Sequence, residues 1–149
     1  MRLQLHSGAI RLHHTDPAVV TTLPLSLPQL LQQSGLNRFP PGEAALEHAI
    51  TLVEDALMPH VDALQQEATE VLQGSGASVA LLVSLAAGAG ARQADRAAVE
   101  RVFNRVVDVA GGLPARHADI PDDAELIATL VVVRELLHHA GYLWLQRVD

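Results

Sequence analysis

Apolar and polar positions alternate at the start of the chain. Leu3 and Leu5 are interleaved with Arg2, Gln4 and His6, and Ile10 and Leu12 with Arg11 and His13. A two-residue alternation is the signature of a half-buried strand. With Ser7-Gly8 between the two runs, it predicts a β-hairpin in which Leu3 faces Leu12 and Leu5 faces Ile10. Two strands are marginal alone, so the hairpin must pack on helices or on further strands. Residues 19–27 are β-branched enough for a third strand, which Pro24 would confine to an edge.

The pattern then changes to a helical period. Residues 27–33 form a short helix candidate stopped by Ser34-Gly35, and Pro40-Pro41 makes the following link rigid. Residues 43–58 are amphipathic. Leu46, Ala49, Ile50, Val53 and Leu57 share one side, opposite Glu43, Glu47, His48, Thr51, Glu54 and Asp55. Pro59 interrupts the pattern, and Val61, Leu64, Ala68, Val71 and Leu72 continue helical spacing to Gln73. Residues 77–85 fit a buried helix or a buried strand, and their alanine content favours helix. Residues 95–110 are amphipathic again, burying Val99, Val102, Phe103, Val106 and Val109. A Gly- and Pro-rich loop, 111–122, precedes a last helix running to about Ala140, opened by a capping box of Asp122 and Glu125. That helix is apolar nearly all round between Leu126 and Val133, so it is the expected centre of the core. Residues 142–148 read as a tail or a short strand. The fold expected is α+β and mainly helical, an N-terminal hairpin on a bundle of about four or five helices, with an all-α domain as the alternative.

Composition narrows the function classes. The chain has 149 residues, enough for one domain with one core. It has no cysteine, which excludes disulfides, thiolate catalysis and zinc-thiolate or iron–sulfur sites. The net charge is −7 and all ten basic residues are arginine. An acidic chain has no electrostatic grip on nucleic acid or anionic lipid. Arg92, Arg96, Arg101 and Arg105 form no single helical face and are interleaved with Asp95, Glu100 and Asp108. No nucleic-acid or membrane partner is therefore expected. The chain start lacks the apolar stretch of a signal peptide, and a cytoplasmic protein is the natural reading. A mean hydropathy of +0.21 with 3% aromatic residues leaves aliphatic surface that a homo-oligomeric interface would absorb.

Candidate chemistry is sparse. Of the eight histidines, His6 and His13 lie about 13 Å apart on the hairpin, too far to share an ion. The adjacent pairs His13-His14 and His138-His139 do not converge on one point. Glu135 and His138 match the Glu-x-x-His spacing of bundle metal sites, but no second copy exists, so no metal and no cofactor is expected. Gly88-Ala89-Gly90 is too short a pattern for a phosphate loop. In the 111–122 loop, Arg116, His117 and Asp119 place a cation, an imidazole and a carboxylate within four residues. Arg38 ahead of the two prolines is a second binding candidate. The leading expectation is a non-enzymatic interaction module that self-associates or binds an unidentified protein. The alternative is a small-molecule-binding protein or enzyme with a polar pocket around Arg116, His117 and Asp119, joined by Arg38.

Overall fold

The computed structural model describes residues 1–6 and 8–149. In chain order the elements are β1 (Arg2–Gln4), β2 (Arg11–His13), β3 (Val20–Thr22), α1 (Leu27–Ser34), α2 (Glu43–Leu57), α3 (Val61–Gln65), β4 (Val71–Gly74), α4 (Ala77–Ala87), β5 (Gln93–Asp95), α5 (Arg96–Ala110), α6 (Ala115–Ala118), α7 (Ala124–His139) and β6 (Trp144–Arg147). A 3-10 turn at Met58–His60 carries Pro59 and joins α2 to α3. The strands form one six-stranded mixed sheet in the order β3-β2-β1-β4-β6-β5. β1, β4 and β6 run parallel, while β2 is antiparallel to β1 and β3, and β5 to β6.

The hairpin register is the expected one, with Leu3 opposite Leu12. The predicted turn includes Ser7, which lies outside the described residues. The hairpin is not a separate layer on a helical bundle, however. β1 continues sideways into β4 and β6, so the architecture is mixed α/β. The reason is local brevity. β4 contributes one buried apolar residue, Leu72, and β5 one, Ala94, so neither has enough turns of alternation to stand out from helical spacing. The expected helix over 61–73 stops at Gln65. From Val71 the backbone pairs with its neighbours instead, Gln73 N–H donating to Met1 O at 2.8 Å and Val148 N–H to Gly74 O at 2.8 Å. Residues 93–95 form a short strand ahead of the helix expected from Asp95, and β3, which ends two residues before Pro24, sits at the sheet edge.

The caps mark the helices. Ser26 and Gln29 form a reciprocal capping box at α1, and Gly35 closes it in the left-handed region at φ 88°. Asp95 accepts from Ala98 N–H at 2.7 Å to start α5. At α7 the cap is Asp123, one residue after the expected Asp122, accepting from Leu126 N–H at 3.0 Å. α7 packs against α1, α2, α4, α5 and β6, which explains its apolar circumference. Leu3, Leu12, Leu72, Ala94 and Leu145 point from the sheet into the same core. The opposite sheet face carries Arg2, Gln4, Arg11, His13, Gln73 and Gln146, exposed or half-buried. Among the described residues no helix is long and apolar enough to cross a membrane.

Candidate functional site

The topology itself singles out one place. From β1 the chain leaves towards β2 and β3; from β4 it leaves through α4 towards β5 and β6. The order of connection therefore reverses between the parallel neighbours β1 and β4. In open α/β sheets such a switch point opens a crevice at the carboxyl ends of the strands, where ligands bind. Here the turn Gly74-Ser75-Gly76 leads from β4 into the first turn of α4. Gly74 sits closely on α4: a Cβ there would stand 3.1 Å from a Val79 methyl, which would have to give way. Gly76 has φ 101°, which a side chain would strain. Among the described residues no side-chain hydrogen bond caps α4, and the first-turn N–H groups of a helix have no partner within the helix itself.

Three side chains frame this turn. The Nε2 of His6, just past β1, lies 3.6 Å from where a Gly76 Cβ would stand. It is also 3.6 Å from Glu125 Oε1, and Ser78 Oγ donates to that same oxygen at 3.0 Å. Ser78 is buried, whereas His6 and Glu125 are about half exposed. Arg147, at the carboxyl end of β6, pairs in register with Gly74. Its Nε is buried without a hydrogen-bond partner among the described residues. Arg92 lies beside it, its carbonyl accepting from Arg147 N–H at 2.9 Å. The turn thus brings together an uncapped helix start, an imidazole and one carboxylate held by a hydroxyl, with the backbones of Arg147 and Arg92 on the neighbouring strand ends.

A second polar cluster lies at the far end of α7. Arg134 clamps Glu100 of α5 through Nε at 2.9 Å and Nη2 at 3.2 Å, and donates from Nη1 to Glu135 at 2.8 Å. Its guanidinium also stacks 4.1 Å from the Phe103 ring centre. His138 reaches Glu100 at 3.1 Å. His139 meets Glu135 at 3.0 Å and Glu54 of α2 at 3.4 Å. Burial pushes Glu100 up, but hydrogen bonds and charge from Arg134 and His138 outweigh it and hold its pKa below the usual carboxylate value. Glu135 goes the other way: burial, reinforced by the Glu54 charge, raises it despite Arg134.

At the opposite end of β1, His14 bridges Glu67 at 2.6 Å and Thr21 at 2.8 Å. Thr21 belongs to the edge strand β3 and Glu67 to the link before β4, so this chain of bonds ties the sheet edge to that link. A groove of about 640 Å³ runs beside it over the open sheet face, lined among others by Arg2, Gln4, His13, Gln73 and Ser75.

The residues singled out by sequence are differently placed. Arg116 and His117 lie exposed on α6. Asp119 follows at φ 55° and stands 3.9 Å from Arg105. Arg38, in the link between α1 and α2, is exposed and joined to none of these by a hydrogen bond or ion pair. None of the four lines the groove over the sheet. Glu135 does belong to a cluster of ligand-type side chains, but with His139 rather than His138. Sequence reading passed over Gly74, Gly76, His6, Ser78 and Glu125 as a group. The one signal available was Gly-Ser-Gly ahead of an uncapped apolar run.

No protein-family model matches the chain, and no curated protein sequence matches it. Its fold, in contrast, is similar to solved structures. The PPX-GPPA enzyme of Aquifex aeolicus superposes with a TM-score of 0.70 at 14% identity, over 99% of this chain and 52% of that one. The type II variant of the Aquifex aeolicus Ppx/GppA phosphatase gives 0.67 at 12% identity, over 100% and 52%. An exopolyphosphatase-like protein gives 0.68 at 11% identity, over 99% and 55%. The chain therefore spans about half the length of these structures, and at such identities the likeness concerns the fold. It nonetheless corrects the leading expectation from sequence. A non-enzymatic interaction module acting as a homo-oligomer is contradicted by neighbours that are phosphatases or phosphatase-like, and the small-molecule alternative is the better supported.

Proposed function

We propose that this chain is a phosphate-handling domain of a phosphatase-like enzyme. It binds a phosphate-bearing small molecule in the crevice at the carboxyl ends of β1, β4 and β6. The observation that carries the reading is the uncapped amino end of α4, delivered to the switch point of the sheet by Gly74-Ser75-Gly76. A helix start concentrates partial positive charge and free N–H donors, the two things a phosphoryl oxygen needs. Arg147 and Arg92 add full positive charge at the same end of the sheet. Glu125, fixed by Ser78 Oγ at 3.0 Å, is the group placed to take a proton from a water attacking phosphorus. The Aquifex aeolicus phosphatase and the exopolyphosphatase-like protein supply the substrate class by likeness of fold.

The test is a titration of inorganic triphosphate into the isotopically labelled chain, followed by backbone amide shifts. Shifts are expected to concentrate on residues 74–79 and His6. Ala77→Asp places a negative charge in the first turn of α4, which favours the helix but repels phosphate. It is expected to weaken binding by about tenfold or more, equivalent to ~1.4 kcal/mol, without lowering the unfolding midpoint. Shifts confined to other regions, or equal affinity in Ala77→Asp, would refute the assignment.

A further inference from the structure

We propose that Glu54, Glu135 and His139 form a binding site for a divalent transition metal of the zinc class, independent of the phosphate crevice. The three side chains each offer a ligand atom, and these atoms all lie within 4.8 Å of one another. His139 Nε2 is 3.0 Å from Glu135 Oε2 and 3.4 Å from Glu54 Oε1. Zinc bonds of about 2.0–2.1 Å at tetrahedral angles put neighbouring ligand atoms about 3.3 Å apart. Two edges of the cluster thus already bracket a coordination polyhedron. The remaining edge is within 4.8 Å, and Glu54, whose side chain is 41% exposed, is the ligand with room to close it.

The surroundings are those of a supported site. Glu135 and His139 are four residues apart on α7, so the helix itself holds them on one face. Arg134 donates to the other oxygen of Glu135 at 2.8 Å and is itself clamped on Glu100. The carboxylate is thereby turned with Oε2 towards His139, the orienting role outer groups play around bound metals. Gln65 donates to the His139 carbonyl at 2.7 Å, tying down the helix end that carries the imidazole.

Charge gives a reason for an ion. Glu54, Glu100 and Glu135 bring three carboxyl groups to one guanidinium, that of Arg134. Glu135 is 1% exposed, and a buried carboxylate in negative surroundings is costly. A divalent cation held by Glu54 and Glu135 offsets that cost. The donor set selects its class. One imidazole with two carboxylates suits zinc and its neighbours, whereas calcium takes six to eight oxygens and magnesium keeps an octahedral water shell. Three protein ligands leave a fourth position open, and both His139 and Glu54 reach the surface.

The experiment strips the chain with a chelator and titrates Co²⁺ alone, then displaces it with Zn²⁺. One equivalent of cobalt should bind with the visible bands of a four-coordinate ion, and zinc should abolish them. Glu54→Gln and His139→Gln should each weaken binding by about tenfold or more. His138→Gln should leave it unchanged, although His138 is the adjacent residue. Glu54 is a partly exposed position on α2, so its variant folds even where substitution of buried Glu135 does not; circular dichroism checks this. The assignment fails if the wild-type chain binds no cobalt. It also fails if Glu54→Gln and His139→Gln bind as well as wild type, or if His138→Gln loses as much.

Discussion

The two ends of α7 make a natural comparison. On the 16-residue α7, Glu125 in the first turn borders the crevice at the ends of β1 and β4, and His139 in the last turn sits in an ionic cluster. At about 1.5 Å per residue Glu125 and His139 stand ~21 Å apart along the helix axis. The amino end has its cap, Asp123, and sends one half-exposed carboxylate, Glu125, towards His6 and Ser78. The carboxyl end carries buried Glu135 with His138 and His139, and gathers Glu54 and Glu100 from two other helices. The helix dipole agrees with both proposals, because acidic groups belong at a helix start and cationic or metal-bound groups at its end. The lesson lies in solvation. At the crevice, groups are exposed and loosely coupled, so their task is recognition. At the far end Glu135 is buried and its partly exposed neighbours interlock around it, so that one carboxylate becomes expensive to disturb.

That contrast is open to mutation. The largest effect is expected for Arg134→Ala, which leaves buried Glu135 with His139 alone as partner, frees Glu100 from its clamp and removes the stacking on Phe103. It should cost about 3 kcal/mol in urea denaturation, whereas Glu125→Gln at the other end should cost less than about 1 kcal/mol. Equal costs would dissolve the distinction. Next comes Glu100→Gln, at about 1.5 kcal/mol near neutral pH. Its sign with pH is determined. The folded pKa of Glu100 lies below its reference value of 4.5, so the carboxylate stabilises the fold above that pH and its contribution fades as pH falls through the lowered value. Wild type and Glu100→Gln should therefore converge in acid, as seen by thermal midpoints across that range. A gap that persists at the lowest pH would locate the effect in packing instead. The smallest effect is expected for Asp123→Ala at about 1 kcal/mol, the usual worth of an N-cap. It sharpens the comparison by showing how much of the amino end is helix capping.

How much of this was legible depends on length. α2, α5 and α7 run for 15 or 16 residues, long enough for helical periodicity to declare itself, and each was expected within two residues of its ends. The hairpin was legible too, because alternation and a glycine agree locally. β4 and β5 were not. Three or four residues carry one inward side chain each, and what makes them strands is pairing with β6 and β1 far along the chain. Sites followed the same rule. Glu135 was visible as a helix residue with histidine nearby. Choosing His139 over His138 required knowing that α2 brings Glu54 to that face, while α5 brings Glu100 to the other. Arg116, His117 and Asp119 drew notice by crowding in sequence, yet α6 leaves them on the surface.

By itself, then, the amino-acid sequence determined the three long helices α2, α5 and α7, that α7 is the buried axis, and that thiol chemistry is absent. Those properties come from nearest neighbours along the chain and from composition. Tertiary structure alone decided that β1, β4 and β6 lie parallel, that a switch point opens beside Gly76, and that two carboxylates meet His139. Each depends on contacts between residues about 70 or more positions apart, as where Met1 lies against Val71 or Glu54 against His139. Such closures cost chain entropy that only a complete core offsets, so no local pattern records them.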